Sequence, residues 1–254
     1  MKKESGLFNF RLLLLFVLFG VIIISCQAPP DSRAGWHQLP AILNQIVAPE
    51  FPNQEFVIFD FGAQGDGVTD CTEAFRKAIN ACHVAGGGRV RIPADVFLTG
   101  AIHLKSNVNL HIEKGATVLF HQDINKYLPV VFTRFEGVEL MNFSPFIYAH
   151  NQENIAISGE GILDGNSDST AWWPWAGKTL YGWKEGMPCQ RQDRDSLFEM
   201  AEKGIAVEQR IFGNNHYLRP KFIQFYQCKN ILIEGNLLNH VTDLHLEDVT
   251  INGI

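Results

Sequence analysis

Residues 57–120 constrain this chain more than any other stretch, because one helix signal is followed only by short alternating strands. Asp70 and Glu73 stand in the capping-box relation, and Gly86, Gly87 and Gly88 supply a stop, so the spacing predicts a helix over 71–84. Ala74, Phe75, Ala78, Ile79 and Cys82 fall on one face of that helix and call for burial. Then come Val90 and Ile92, Val96 and Leu98, Ile102 and Leu104, and Val108, Leu110 and Ile112, each set alternating with period two. These alternating residues are the expected inward faces. No interval between them has room for another helix.

The strand pattern recurs. Asn107-Val-Asn-Leu-His-Ile, Asn154-Ile-Ala-Ile-Ser-Gly, Asn230-Ile-Leu-Ile-Glu-Gly and Asp248-Val-Thr-Ile-Asn-Gly share one template: a polar leader, then apolar residues at alternate positions. Self-similar units of this kind predict stacked coils of roughly 20–30 residues in a solenoid. The leading Asn suits a turn, and stacked copies would form a hydrogen-bonded ladder. A β-sandwich of similar strands is the alternative; the scarcity of Asn-Gly turns between paired runs argues against it.

The N-terminus is a separate element. Lys2, Lys3 and Arg11 precede the apolar run Leu12 to Ile24, which is short for a membrane span and matches a secretory signal. Ile23-Ile24-Ser25-Cys26 resembles the cleavage box of bacterial lipoproteins. Lipidation at Cys26 is therefore expected after removal of residues 1–25, with 26–55 as tether and lead-in and 56–254 as the β-helix domain. The chain carries a net charge of −6, and loss of residues 1–25 makes it two units more negative. Nucleic acid is excluded as a partner by that sign, whereas an acidic polysaccharide needs a local cationic groove.

Four cysteines then remain: Cys71, Cys82, Cys189 and Cys228. The first two sit on one helix about 16 Å apart, beyond the roughly 7 Å limit of a disulfide. No zinc-type spacing occurs, so all four read as small buried residues and no metal or other cofactor is expected.

The combination FDFGAQGDGVTDCTEAFRKAINAC, GGGRVRIPADVFLTGAIHLKSNVNLHIEKGATVLF and ISGEGILDGN resembles the opening half of glycoside hydrolase family 28, the polygalacturonases and their exo-acting bacterial relatives. The WWPW run and LRPKFIQFYQCKNILIEG narrow the resemblance to the hydrolases. The likeness covers about residues 56–235. It implies an all-β fold, a right-handed parallel β-helix with an N-terminal capping helix. It also implies a monomer at the periplasmic face or surface of a Gram-negative bacterium, acting on pectic or other uronic-acid polysaccharide by inverting hydrolysis of α-1,4-galacturonosyl links.

Family members resemble one another further on at Asn-Thr-Asp, Asp-Asp, Gly-His-Gly and Arg-Ile-Lys, and none of these strings occurs here. An inverting glycosidase needs two carboxyl groups roughly 6.5–9.5 Å apart, which outward Asp residues on neighbouring coils can supply. Asp243, Glu247 and Asp248 fall in one late segment, and Asp164 reads as a turn residue. The segment from Asn236 resembles the last coil of such proteins, as though joined to the first half near Gly235; a divergent further coil is the other reading. No catalytic residue is assigned, and an inactive remnant or a glycan-binding lipoprotein stands beside the enzyme. A β-elimination lyase would want an acidic calcium cluster, and none stands out.

Residues 165–217 read as a polar, mixed-charge inserted loop over a groove. Within it Trp172, Trp173 and Trp175 either stack on sugar rings or plug the solenoid. Lys178, Lys184, Arg191 and Arg194 are interleaved with Glu185, Asp193 and Asp195. The candidate substrate contacts are Trp173, Trp175, His216 and Arg219. Gly62, Gly65 and Gly67 lack the spacing of a nucleotide loop.

Overall fold

The computed structural model describes Gly35, residues 38–235 and residues 237–239. The signal, the lipidation box at Cys26, and Asp243, Glu247 and Asp248 lie outside those residues. The chain divides into a unit of residues 1–46 and a unit of residues 47–254. In the first, Leu39–Leu43 is a short helix with Pro40 in its first turn and no buried residue.

The second unit is a coil of parallel strands with three walls. The first wall stacks Glu55–Val57, Gly88–Ile92, Val108–Ile112, Glu153–Gly159 and Lys229–Ile233. The second stacks Asp66–Asp70, Val96–Thr99, Thr117–Phe120, Ile162–Asp164 and Leu237–Asn239. Ile102–His103, Ile147–His150 and Ile223–Tyr226 make the third. Every neighbour in these walls is parallel, so the sandwich alternative falls. Leu238 pairs Leu163 in register, so residues 237–239 continue the second wall as a coil should.

Register follows the apolar pattern. Val90 stands beside Leu110, Leu110 beside Ile157 and Ile157 beside Ile233. The first three are fully buried in one core with Phe97, Phe120, Ile147 and Ile223. The spacing between coils is less even than 20–30 residues: stacked residues lie 47 and then 76 positions apart, because segments are inserted between walls. One of these is an antiparallel hairpin, Val131–Phe135 against Val138–Asn142, turned at Glu136 and Gly137 with φ of 46° and 86°. Its turn pair is Glu-Gly rather than Asn-Gly, so the sequence pattern gave little sign of it.

At the corner into the first wall, the Asn leaders stack. Asn154 Nδ2 donates to Asn107 Oδ1 at 3.1 Å, and Asn230 Nδ2 donates to Asn154 Oδ1 at 2.7 Å. All three have left-handed backbone, with φ of 65°, 52° and 57°. Asn tolerates that conformation better than other side chains. The expected ladder is present through Asn230. Asp248 lies beyond the described residues. The preceding corner is tighter: a Cβ on Gly87 would sit 2.5 Å from the Asn107 carbonyl oxygen, and its φ of 116° also demands glycine.

The capping helix spans Thr72–Val84 and buries the five residues expected. It packs against strands of all three walls and so covers the apolar end of the coil. Its start differs from a capping box. Asp70 accepts from the Thr72 amide at 2.9 Å and holds Lys126 Nζ at 2.7 Å, while Glu73 pairs with Arg76 at 2.6 Å. Asp70 is thus taken up by the neighbouring coil, and Glu73 is left to its own helix.

One strand is out of phase with expectation. In Val96–Thr99 it is Phe97 and Thr99 that are buried, while Val96 is exposed and Leu98 half-buried. The larger Phe97 takes the core, 5.4 Å from Phe59, and a one-residue shift exchanges the faces of a strand.

The ladder carries a stability prediction. Asn154→Ala removes a donor and an acceptor from its middle and places Cβ at positive φ, so unfolding stability should fall by about 2–4 kcal/mol. Asn154→Gly should recover about 1 kcal/mol of that loss. Denaturant midpoints of the two variants check both figures; equal midpoints would make the backbone conformation irrelevant.

Asp70 sets an acid limit. Burial pushes its carboxyl up, but hydrogen bonds from Lys126 and Thr72 outweigh this and hold it at about 2. The folded value lies below the roughly 3.9 of an unfolded Asp, so its contribution is present above pH about 4 and is lost as pH falls towards 2. Asp66, held at about 2 by the Thr69 hydroxyl and amide, acts in the same window. Thermal unfolding between pH 5 and 2 should therefore be less pH-dependent in Asp70→Asn, though not flat.

Candidate functional site

The third wall turns a polar, aromatic face outward. Its inward residues Ile102, Ile147, Ala149, Ile223 and Phe225 belong to the core, which leaves His103, Tyr148, His150, Gln224 and Tyr226 outside. Tyr148 stands between His103 and Gln224, with the His103 ring 5.3 Å away, and His150 lies nearly parallel to Tyr226 at 6.0 Å. The hairpin of residues 131–142 lies over this face. Tyr148 donates to the Phe132 carbonyl, Thr133 to Gln224, and Tyr226 to the Glu139 carboxylate. The Phe132 ring is 5.1 Å from His150.

Closure tunes the groups beneath. Burial lowers the pKa of His103, favouring the neutral ring that meets Ser144 Oγ at 2.9 Å, and burial raises that of the Tyr148 hydroxyl. The five outward side chains include no carboxylate; Glu139 comes from the hairpin and is engaged by Tyr226. On the first wall, charge is also committed, Arg91 joining Glu55 at 2.9 Å and Glu113 at 2.5 Å. Among the described residues no group of three His, Cys, Asp or Glu side chains is placed to hold a metal ion.

Residues 165–217 hold more structure than a solvated loop. Gln190–Glu202 is an α-helix, followed by strand Ile211–Phe212, which pairs in parallel with the hairpin. Leu197 is the helix's buried residue and joins Phe135, Leu140, Phe212 and Leu218 in a second core. The expected mixed-charge surface is present: Arg194 pairs with Asp195 at 2.8 Å. What the charge pattern concealed is the helix beneath it.

The aromatic cluster divides between its two readings. Trp172 is buried, 5.3 Å from both Tyr127 and Phe146, and plugs the core. Trp173 is half-buried with its edge towards Tyr181 at 6.4 Å. Trp175 is half-buried against Trp172, Tyr217 and Phe143, with centroids 5.4, 5.1 and 6.3 Å away. It also lines a half-open cleft of about 550 Å³ that runs between Ser169 and Pro188.

His216 and Arg219 are held by the insertion itself. His216 Nδ1 meets Asp193 Oδ1 at 2.8 Å, the other Asp193 oxygen accepts from the Tyr217 amide, and the His216 ring lies 5.0 Å from Phe212. Arg219 Nε donates to Gln190 Oε1 at 3.1 Å. Asp164 serves the turn expected of it, accepting from the Asn166 amide at 2.8 Å. Cys71, Cys82 and Cys228 are free and buried, burial pushing the Cys82 thiol to about 11. Cys189 departs from the expectation: it is half-exposed, because it precedes the inserted helix rather than lining a coil.

Sequence reasoning missed His103, Tyr148, His150, Gln224, Tyr226 and Glu139. A signal existed for four of them. Phe146-Ile-Tyr-Ala-His and Phe222-Ile-Gln-Phe-Tyr stand the same 76 positions apart as Asn154 and Asn230.

No protein-family model matches the chain. It is 52% identical to the crystal structure of a hyperthermoactive exopolygalacturonase from Thermotoga maritima, with a TM-score of 0.77 over 80% of this chain and 46% of that one. It is also 38% identical, over 117 residues, to exo-poly-alpha-D-galacturonosidase of Dickeya chrysanthemi, covering 43% of this chain and 19% of that enzyme. The chain is related to the family 28 polygalacturonases.

Their fold, the right-handed parallel β-helix, is the one expected from the Asn-led strands. The family 28 exopolygalacturonase of Yersinia enterocolitica, 22% identical with a TM-score of 0.50 over 73% of this chain and 35% of that one, shares that fold. The chain thus spans less than half the length of these polygalacturonase relatives.

Proposed function

We propose that this is a polygalacturonase-type protein that engages uronic-acid glycan and, as the chain stands, does not hydrolyse it. The 52% identity to an exopolygalacturonase across most of the chain carries the choice of glycan. Lack of turnover is supported by the sequence, in which none of Asn-Thr-Asp, Asp-Asp, Gly-His-Gly and Arg-Ile-Lys occurs. The third wall agrees with it, since its outward residues bring no carboxylate to pair with Glu139. Inverting hydrolysis of α-1,4-galacturonosyl links needs an acid and a base held together, and loss of either removes most of the rate. Trp175, and beside it Trp173, are the glycan contacts in this reading; His216 and Arg219 shape the insertion that presents them.

Reducing-end release from polygalacturonate by the purified protein is expected to stay at background. Robust release that survives repurification would show catalytic carboxylates at work, and loss of that release in Asp164→Ala would place one of them there.

We also propose export and lipid anchoring at Cys26, on the order of its basic, apolar and Ile-Ile-Ser-Cys elements. Among the described residues no helix is long and apolar enough to cross a membrane. Mass spectrometry of the native N-terminus should find a diacylated Cys26. A start elsewhere, or an unmodified Cys26, would remove the anchor.

A further inference from the structure

We infer that the cleft within residues 165–217 is a binding site for one uronic-acid residue of an acidic glycan, with Lys184 taking the sugar carboxylate beside the ring of Trp175. This rests on the reading that the chain engages uronic-acid glycan. It goes further by placing recognition on the insertion and by naming the side chain that reads the acid group.

The cleft has a mixed lining. Pro174, Trp175 and Met187 bring apolar surface to it, and Ser169, Thr170 and Lys184 bring two hydroxyls and a cation. A pyranose ring has matching chemistry, with C–H groups on its faces and hydroxyls around its rim, and an aromatic side chain suits such a face. The volume of about 550 Å³ falls within the roughly 300–1,000 Å³ of small-molecule sites.

The site is also organised in advance. Trp175 packs at steep angles against Tyr217, at 82°, and Trp172, at 65°, so little ordering of the ring remains to be done on binding. Thr170 donates its hydroxyl to Asp168 at 2.6 Å, which leaves its oxygen as an acceptor for a sugar hydroxyl. Asp168 accepts in turn from the Thr170 and Ala171 amides and from Gln122, contacts that with the Thr170 hydroxyl hold its carboxyl below the usual range and fix the Ser169–Thr170 stretch of the cleft.

Lys184 decides the class of ligand. Among the described residues no carboxylate lies within ion-pair distance of it, and its chain neighbour Glu185 is exposed. A neutral sugar would leave this cation unused. A carboxylate gives it a charge-assisted hydrogen bond, the stronger kind. In a chain of net charge −6, an exposed cation lining the same cleft as an aromatic ring is the local feature that an acidic polymer needs.

The test is affinity electrophoresis of the full chain in native gels that contain polygalacturonate, carboxyl-reduced polygalacturonate or no polymer. Wild type is compared with Lys184→Met, Lys184→Arg and Lys203→Met. The last makes the same charge change at the end of the inserted helix, where Lys203 pairs with Glu199. Lys184→Met should weaken binding to polygalacturonate at least about tenfold. Lys184→Arg and Lys203→Met should stay within about twofold of wild type, and binding to the reduced polymer should be weaker and indifferent to Lys184.

Equal effects of Lys184→Met and Lys203→Met would reduce the result to net charge and overturn the site while leaving the glycan reading intact. Binding of the reduced polymer as tightly as of polygalacturonate would overturn it too. Absence of any retardation of wild type would remove the glycan reading itself and this site with it.

Discussion

Side-chain amides stacked in register hold the coils of this protein at one spacing. Asn154 supplies a donor to the coil below and accepts from the coil above, and Asn107, Asn154 and Asn230 each bend the chain through a left-handed turn. A residue able to do one of these tasks alone would leave either a strained corner or an unpaired buried group. Because the corner is fixed, the phase of the strand that follows is fixed, and with it which side chains enter the core. The third wall keeps the same alignment, its strands separated by 45 and then 76 positions.

Much of that order is legible in the sequence, because it depends on local pattern. The capping helix and its five buried residues follow from i, i+4 spacing, and the ladder follows from an Asn repeated ahead of alternating apolar residues. The expectations that failed depended on long-range competition. Val96 and Phe97 each begin an alternation, and only packing with later coils, Phe97 standing beside the buried Val118, selects the second. Asp70 and Glu73 fit a capping box until Lys126, brought in by a later coil, claims the aspartate.

The candidate site was less legible for a related reason. Inserted segments fold on small cores of their own, so their apolar residues are few and scattered; Leu197, with Phe198 and Met200 partly buried beside it, orders a helix whose other residues are mostly polar. The outward face of the third wall was hidden differently. Tyr148 and Tyr226 look like core aromatics in a window of five residues, and only the hairpin lying over them explains why they are buried with their hydroxyls bonded outward. Asp193, one acidic residue among several, becomes the brace of the insertion once His216 and Tyr217 return to it.

The uneven spacing of stacked residues has a further consequence. Neighbours in this molecule are set by coil number and not by distance along the chain, so Asn154 touches Asn230 as readily as if 20 residues separated them and not 76. The entropy of closing a loop grows only slowly with its length, about 0.6 kcal/mol per doubling. The stretch between Trp175 and Ile211 therefore behaves as a cassette, while Trp172 before it and Phe222 after it belong to the core. It can be exchanged for another of different length without retuning the strands that flank it, which separates the chemistry displayed by the protein from the chemistry that folds it.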